Sequence, residues 1–164
     1  MQTVSVFDIA TETWFTQFTT AQLGLYPTAR EEFCSVVASA EDNSSHNIYI
    51  YGGYDRSDYN GTNDIFILTL PAFHWVSVYP SAEGESNSNI RRTYDHQCQK
   101  VHEKHMVVYR NNNGNNLCTS DKELGIYQGM VIYDMSSLTW TTKIELENQK
   151  YLVPPALYEI IGGK

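Results

Sequence analysis

Residues 47–75 read NIYIYGGYDRSDYNGTNDIFILTLPAFHW, and how this stretch is read decides the fold. In its first apolar run Ile48 and Ile50 fall on one face and Tyr49 and Tyr51 on the other, the period of two that marks a strand. The pair Gly52-Gly53 ends that run, a polar loop follows, and a second β-rich run leads through a short link to Trp75. Helix signals are nearly absent elsewhere. The segment NQKYLVPPALYEI (148–160) is the one candidate, and Pro154-Pro155 is expected to break it.

The same arrangement recurs along the chain. VSVFDIATETW ends at Trp14, DIFILTLPAFHW at Trp75 and GMVIYDMSSLTW at Trp140, intervals of 61 and 65 residues. Six residues before the tryptophan stand Asp8, Thr69 and Asp134 in turn. Between the tryptophans, REEFCSVVASA from Arg30 parallels RRTYDHQCQKV from Arg91, and NIYIYGG parallels HMVVYRN (105–111) and YEIIGG (158–163). A period of this kind is the signature of a repeat architecture. One repeat reads as four strands: 32–39, 47–52, 64–69 and 74–79 in the second copy, and 93–101, 105–110, 129–134 and 139–145 in the third. The first copy supplies two strands, 3–9 and 13–19.

Composition agrees with a globular, strand-rich chain. Of 164 residues 41% are hydrophobic, 18% charged and 13% aromatic, with twelve tyrosines. The net charge of −8 and the lack of any basic stripe exclude a nucleic-acid surface. No apolar run approaches the ~20 residues of a membrane-spanning helix. The opening MQTVSVFDIATETW lacks the basic and apolar regions of a signal peptide. Cys34, Cys98 and Cys118 contain no CxxC, which argues against a common structural zinc site. A bridge between Cys98 and Cys118 is the candidate disulfide in an oxidising compartment. Asn43 and Asn60 each begin a glycosylation sequon. Together these features favour an extracellular or cell-surface setting and leave a cytoplasmic one open.

The Gly52-Gly53 pair, the strand after it and Trp75 resemble the kelch repeat, one blade of a β-propeller. FCSVVAS, IYIYGG, DIFILTLPAFHWVSVYP and YDMSSLTW are similar to kelch proteins of filamentous fungi, several of which carry a membrane-spanning segment after the propeller. The resemblance implies an all-β segment of four-stranded antiparallel blades. It would comprise a half blade (1–19), two blades (30–80 and 91–145) and the start of a further blade (151–164). Propellers have typically 4–8 blades, so this would be an incomplete ring, a piece of a longer protein whose open edges invite self-association. Trp14, Gly52, Gly53, Trp75, Trp140, Gly162 and Gly163 would be its structural residues. In the third copy Arg110-Asn111 replaces the glycine pair.

The function implied is a non-catalytic scaffold for a protein partner or cell-surface ligand, without a cofactor. Loops after the second and fourth strands (20–29, 53–63, 80–90, 111–128, 146–155) are the longer set, and repeat proteins often bind through their long-loop face. Among them Tyr54, Asp55, Arg56, Asp58 and Tyr59 mix aromatic anchors with charge, as recognition surfaces do. His96, Cys98, His102 and His105 look at first like metal ligands. HEKH lacks the spacing of a zinc-protease helix, and the histidines read as turn and strand residues. Arg30, Arg91 and Arg92 recur in register and are expected to bond a neighbouring blade. The rival reading is a remnant of a secreted copper-radical oxidase. By resemblance such an enzyme needs two tyrosines, two histidines and a Tyr–Cys crosslink, and no such arrangement is recognisable.

Overall fold

A computed structural model of the chain describes residues 1–57, 61–79, 94–109, 130–141, 143–147 and 150–161. Expectations for Asp58, Tyr59, Asn60, Arg91, Arg92, Arg110, Asn111, Cys118, Gly162 and Gly163, and for loops 80–90 and 111–128, fall outside these residues.

The strands are β1 (Thr3–Asp8), β2 (Thr13–Phe18), β3 (Thr20–Ala21), β4 (Cys34–Ser39), β5 (His46–Tyr51), β6 (Ile65–Leu70), β7 (His74–Tyr79), β8 (Gln97–Val101), β9 (His105–Tyr109), β10 (Met130–Asp134) and β11 (Thr139–Thr141). β4 to β7 and β8 to β11 form two antiparallel meanders, each a four-stranded blade, and β1 pairs β2 as a separate hairpin. The sheets do not close into a ring. One strand was not foreseen: β3 adds in parallel to β7, Thr20 beside His74 and Ala21 beside Trp75, tying the chain after the first hairpin to the outer edge of the next blade.

The tryptophan repeat is a hairpin repeat. Asp8 faces Thr13, Thr69 faces His74 and Asp134 faces Thr139 across equivalent turns. Two residues before each tryptophan the backbone is left-handed, with φ of 52° at Glu12, 50° at Phe73 and 59° at Leu138. The aspartate in this slot caps the turn. Asp8 Oδ1 accepts the N–H of Ala10 (2.8 Å) and Thr11 (3.3 Å), and Asp134 Oδ1 those of Ser136 (2.9 Å) and Ser137 (3.0 Å). The middle copy has Pro71 where Ala10 and Ser136 donate, and proline has no N–H to give. An aspartate would lose one of its two bonds there, which accounts for Thr69.

Blades stack through aromatic residues. Trp75 is 3% exposed and clusters with Ile50, Phe66 and Leu68, against which Met1, Val4, Ala21 and Tyr26 pack. Trp140 lies edge-on to Tyr51 of the preceding blade (5.2 Å) and to Tyr133 of its own (5.0 Å). Trp14, by contrast, is 68% exposed, and Phe7, Phe15 and Phe18 are exposed with it. A second link between blades is a chain of hydrogen bonds: Asn47 Nδ2 donates to the Tyr151 hydroxyl (3.2 Å), Tyr151 bonds Tyr49 (2.9 Å), and Tyr49 donates to the Met135 carbonyl (2.8 Å). Burial pushes the Tyr49 phenol well up and that of Tyr151 to about 12, so both stay neutral.

The C-terminal expectation needs correcting. Where residues 151–164 were expected to open a further blade with a strand, the structure has an irregular run (151–154) and then helix α1 (Pro155–Ile161). Pro154-Pro155 starts this helix and does not break it. Proline fits a first helical position, where no N–H is required, and the Pro154 carbonyl accepts the N–H of Leu157 (2.9 Å). Leu157 is fully buried, which anchors the helix.

Beneath the third blade Lys104 Nζ bonds Asp134 Oδ2 (3.0 Å) and Glu145 Oε2 (2.6 Å). Burial works to raise the Asp134 carboxyl, but the Ser137 and Ser136 N–H groups and the Lys104 ammonium outweigh it and hold the carboxyl below the usual range. A carboxyl depressed by folding stabilises the fold above its unfolded pKa of ~3.9 and loses that contribution as pH falls through the folded value. We expect Asp134→Asn to melt well below wild type at neutral pH. The gap should narrow below about pH 4, as checked by melting temperature against pH.

Candidate binding site on the long-loop face

The predicted loop is built on a backbone that needs glycine at position 53. Gly52 and Gly53 have φ of 65° and 91°. A Cβ on Gly53 would lie 2.8 Å from the Glu31 carbonyl oxygen and 2.9 Å from the Phe33 Cβ. This close approach lets Tyr54 pair with Glu31, its N–H donating to the Glu31 carbonyl (3.1 Å) and its carbonyl accepting the Glu31 N–H (3.0 Å). The Gly53 carbonyl accepts the Thr62 N–H at 2.8 Å, closing the base of the loop.

Arg30 fixes this base from within. Its Nη1 donates to the Gly52 carbonyl (3.1 Å), to Thr62 Oγ1 (3.2 Å) and to Asp64 Oδ1, and its Nη2 to Asp64 Oδ2 (3.0 Å). The guanidinium also lies over the Phe66 ring, 5.5 Å from its centre. Arg30 is therefore structural, as expected, but these partners belong to its own blade and not to a neighbouring one.

Above this floor Ala29, Arg30, Glu31, Tyr54, Asp55 and Arg56 line a cleft of about 250 Å³. Arg56 Nε donates to Glu31 Oε1 at 2.6 Å, and the Ser57 N–H to Asp55 Oδ1 at 2.8 Å. The hydrogen bond from Arg56 holds the Glu31 carboxyl low, and the bond to Glu31 pushes the Tyr54 phenol up to about 12. The Tyr54 and Tyr94 rings lie 5.0 Å apart, so a residue of the next blade reaches this cleft. The structure thus brings Tyr54, Asp55 and Arg56 together and adds Arg30, Glu31 and Tyr94, which sequence reasoning had not placed there. Glu31 directly follows Arg30, and Tyr94 is the aromatic of RRTYDHQCQKV, matching Phe33 of REEFCSVVASA, the signal that pointed to them.

The other site residues separate. Asn43, of the first sequon, is exposed in the β4–β5 turn at φ 58°. His102 is exposed in the β8–β9 turn, and His105 is fully buried with Nε2 3.8 Å from Asp134 Oδ2. Only His96 stays beside Cys98. The expected Cys98–Cys118 bridge is overturned: Cys98 is disulfide-bonded to Cys34, with Cα atoms 5.4 Å apart. β4 and β8 are the facing edge strands of neighbouring blades. This proximity comes from the stacking of blades, and spacing along the chain cannot show it.

No family model matches the chain. It is similar to a Kelch repeat-containing protein of Arthroderma benhamiae, 35% identical over 188 aligned positions that cover 99% of this chain and 26% of that protein. The chain therefore spans about a quarter of the length of the curated relative it matches.

Proposed function

We propose, on the premise that this chain belongs to the kelch-repeat family, that it is a stretch of a longer propeller working as a non-catalytic scaffold for a protein partner. Its share of the relative's length, the open sheets and the exposed aromatic side chains of the β1–β2 hairpin support the first part. The observation that carries the second is the cleft. Its rim offers an aromatic pair and opposite charges, while its floor is held rigid by Arg30 and the glycine pair. Rigid backing for an aromatic and arginine rim is the composition of a binding hot spot. Glycosylation at Asn43, exposed on the opposite set of turns, would leave this face clear, whereas the Asn60 sequon belongs to the 53–63 loop itself.

The test is a comparison of proteins captured by the native chain and by a Tyr54→Ala, Arg56→Ala variant, with circular dichroism to verify that both fold. The variant should lose a specific partner at least about tenfold, since it removes both the aromatic and the arginine anchor of the rim. Capture of the same proteins in the same yield would contradict the assignment.

A further inference from the structure

We propose that Cys34, Cys98 and His96 form a zinc site whenever the Cys34–Cys98 disulfide is reduced, so that the junction between the two blades holds a bond in one redox state and a metal ion in the other. The two sulfurs and a ring nitrogen of His96 all lie within 4.8 Å of one another. A tetrahedral zinc with ligands at about 2.3 Å (sulfur) and 2.0 Å (nitrogen) sets neighbouring donor atoms about 3.5–3.8 Å apart, so the two sulfurs, bonded in the oxidised chain, must part on reduction by a side-chain rotation. Cys34 and His96 are buried and Cys98 half-buried. His96 immediately precedes β8 and Cys98 is its second residue, and both lie close to Cys34 at the start of β4.

The imidazole is already oriented. His96 Nε2 lies 3.1 Å from the Tyr51 carbonyl, and its ring packs edge-on against Tyr51 at 5.1 Å. A carbonyl can only accept, so Nε2 carries the proton and Nδ1 the lone pair that would bind the metal. A histidine held this way by a backbone carbonyl is the usual outer support of a zinc ligand. Two thiolates and one imidazole leave a fourth position for water, as in zinc sites with three protein ligands.

The reduction balances. A phosphine and one water convert the disulfide to two thiols and phosphine oxide, and zinc then displaces the two thiol protons. In an oxidising compartment the disulfide persists, and in a reducing one the dithiol is free to take the metal.

The test uses the 164-residue chain carrying Cys118→Ser, so that the third cysteine contributes nothing. After phosphine treatment and dialysis against zinc, we expect about one zinc per chain by elemental analysis, and none on the oxidised sample. Cobalt in place of zinc should give thiolate-to-metal charge-transfer absorption, lost on adding Cys34→Ser. His96→Gln should weaken zinc binding by more than about tenfold while keeping the thiolate signature. The oxidised protein serves as the folded, thiolate-free control if Cys34→Ser does not fold. The proposal is overturned if the reduced chain takes up no more zinc than the oxidised one, or if His96→Gln binds zinc as tightly.

Discussion

Gly53→Ala is expected to destabilise the chain by about 3–5 kcal/mol, a large part of the roughly 5–15 kcal/mol that holds a typical domain together. Two costs add. A left-handed backbone costs an L-residue about 1–2 kcal/mol, and at φ 91° Gly53 lies beyond the left-handed well that other residues tolerate. The new Cβ would also meet the Glu31 carbonyl oxygen at 2.8 Å and the Phe33 amide nitrogen at 3.2 Å, backbone atoms that cannot swing aside. Gly24 separates these terms: its φ is 72°, but a Cβ there meets nothing within 4 Å. Gly24→Ala should therefore cost about 1 kcal/mol, the torsional part alone. Denaturant unfolding of the two variants measures the difference. Equal losses would mean that Glu31 and Phe33 do not lie against Gly53 as described.

Arg30→Met is expected to cost about 2–4 kcal/mol. Arg30 has a side chain only 1% exposed, and its removal strands the Gly52 carbonyl and the Asp64 carboxylate. Breaking a fully buried pair costs about 3–5 kcal/mol. Asp64 is 23% exposed, and water recovers part of that loss, hence the lower range. The second change Asp64→Leu should restore part of the stability, because it removes the stranded charge. The neighbouring Arg56–Glu31 pair is the contrast: Arg56 is 79% exposed, and Arg56→Ala should leave stability nearly unchanged. Arg56 is thus available for partner binding at little structural cost, while Arg30 is committed to the fold.

The parts legible in the sequence share one property: they repeat or they are local. The tryptophan register located three hairpins, and the structure explains the register through a shared left-handed residue and an aspartate cap. Gly52-Gly53 marked the end of β5, with Gly53 at a backbone position closed to other residues, and the alternation from Ile48 to Tyr51 gave the faces of β5. What failed depended on contacts between segments far apart in the chain. Cys34 meets Cys98 because two inner strands face each other, and nothing within RRTYDHQCQKV points to Cys34. Glu31 joins the cleft through a backbone pairing with Tyr54 that has no side-chain signature. Helix α1 was missed for a different reason. YEIIGG looked like a repeat of NIYIYGG, but it follows a proline pair that sets up a helical first turn, and Leu157 has a buried place to dock.

The central claim is that two kelch blades stack so that β4 of one faces β8 of the next. Peptide mapping of the oxidised chain under non-reducing conditions tests it most directly. The expected result is a linked peptide pair containing Cys34 and Cys98, with Cys118 as a free thiol. A linked pair joining Cys98 to Cys118 would contradict it, because Cys98 would then be tied within its own repeat and not to the inner strand of the neighbouring blade.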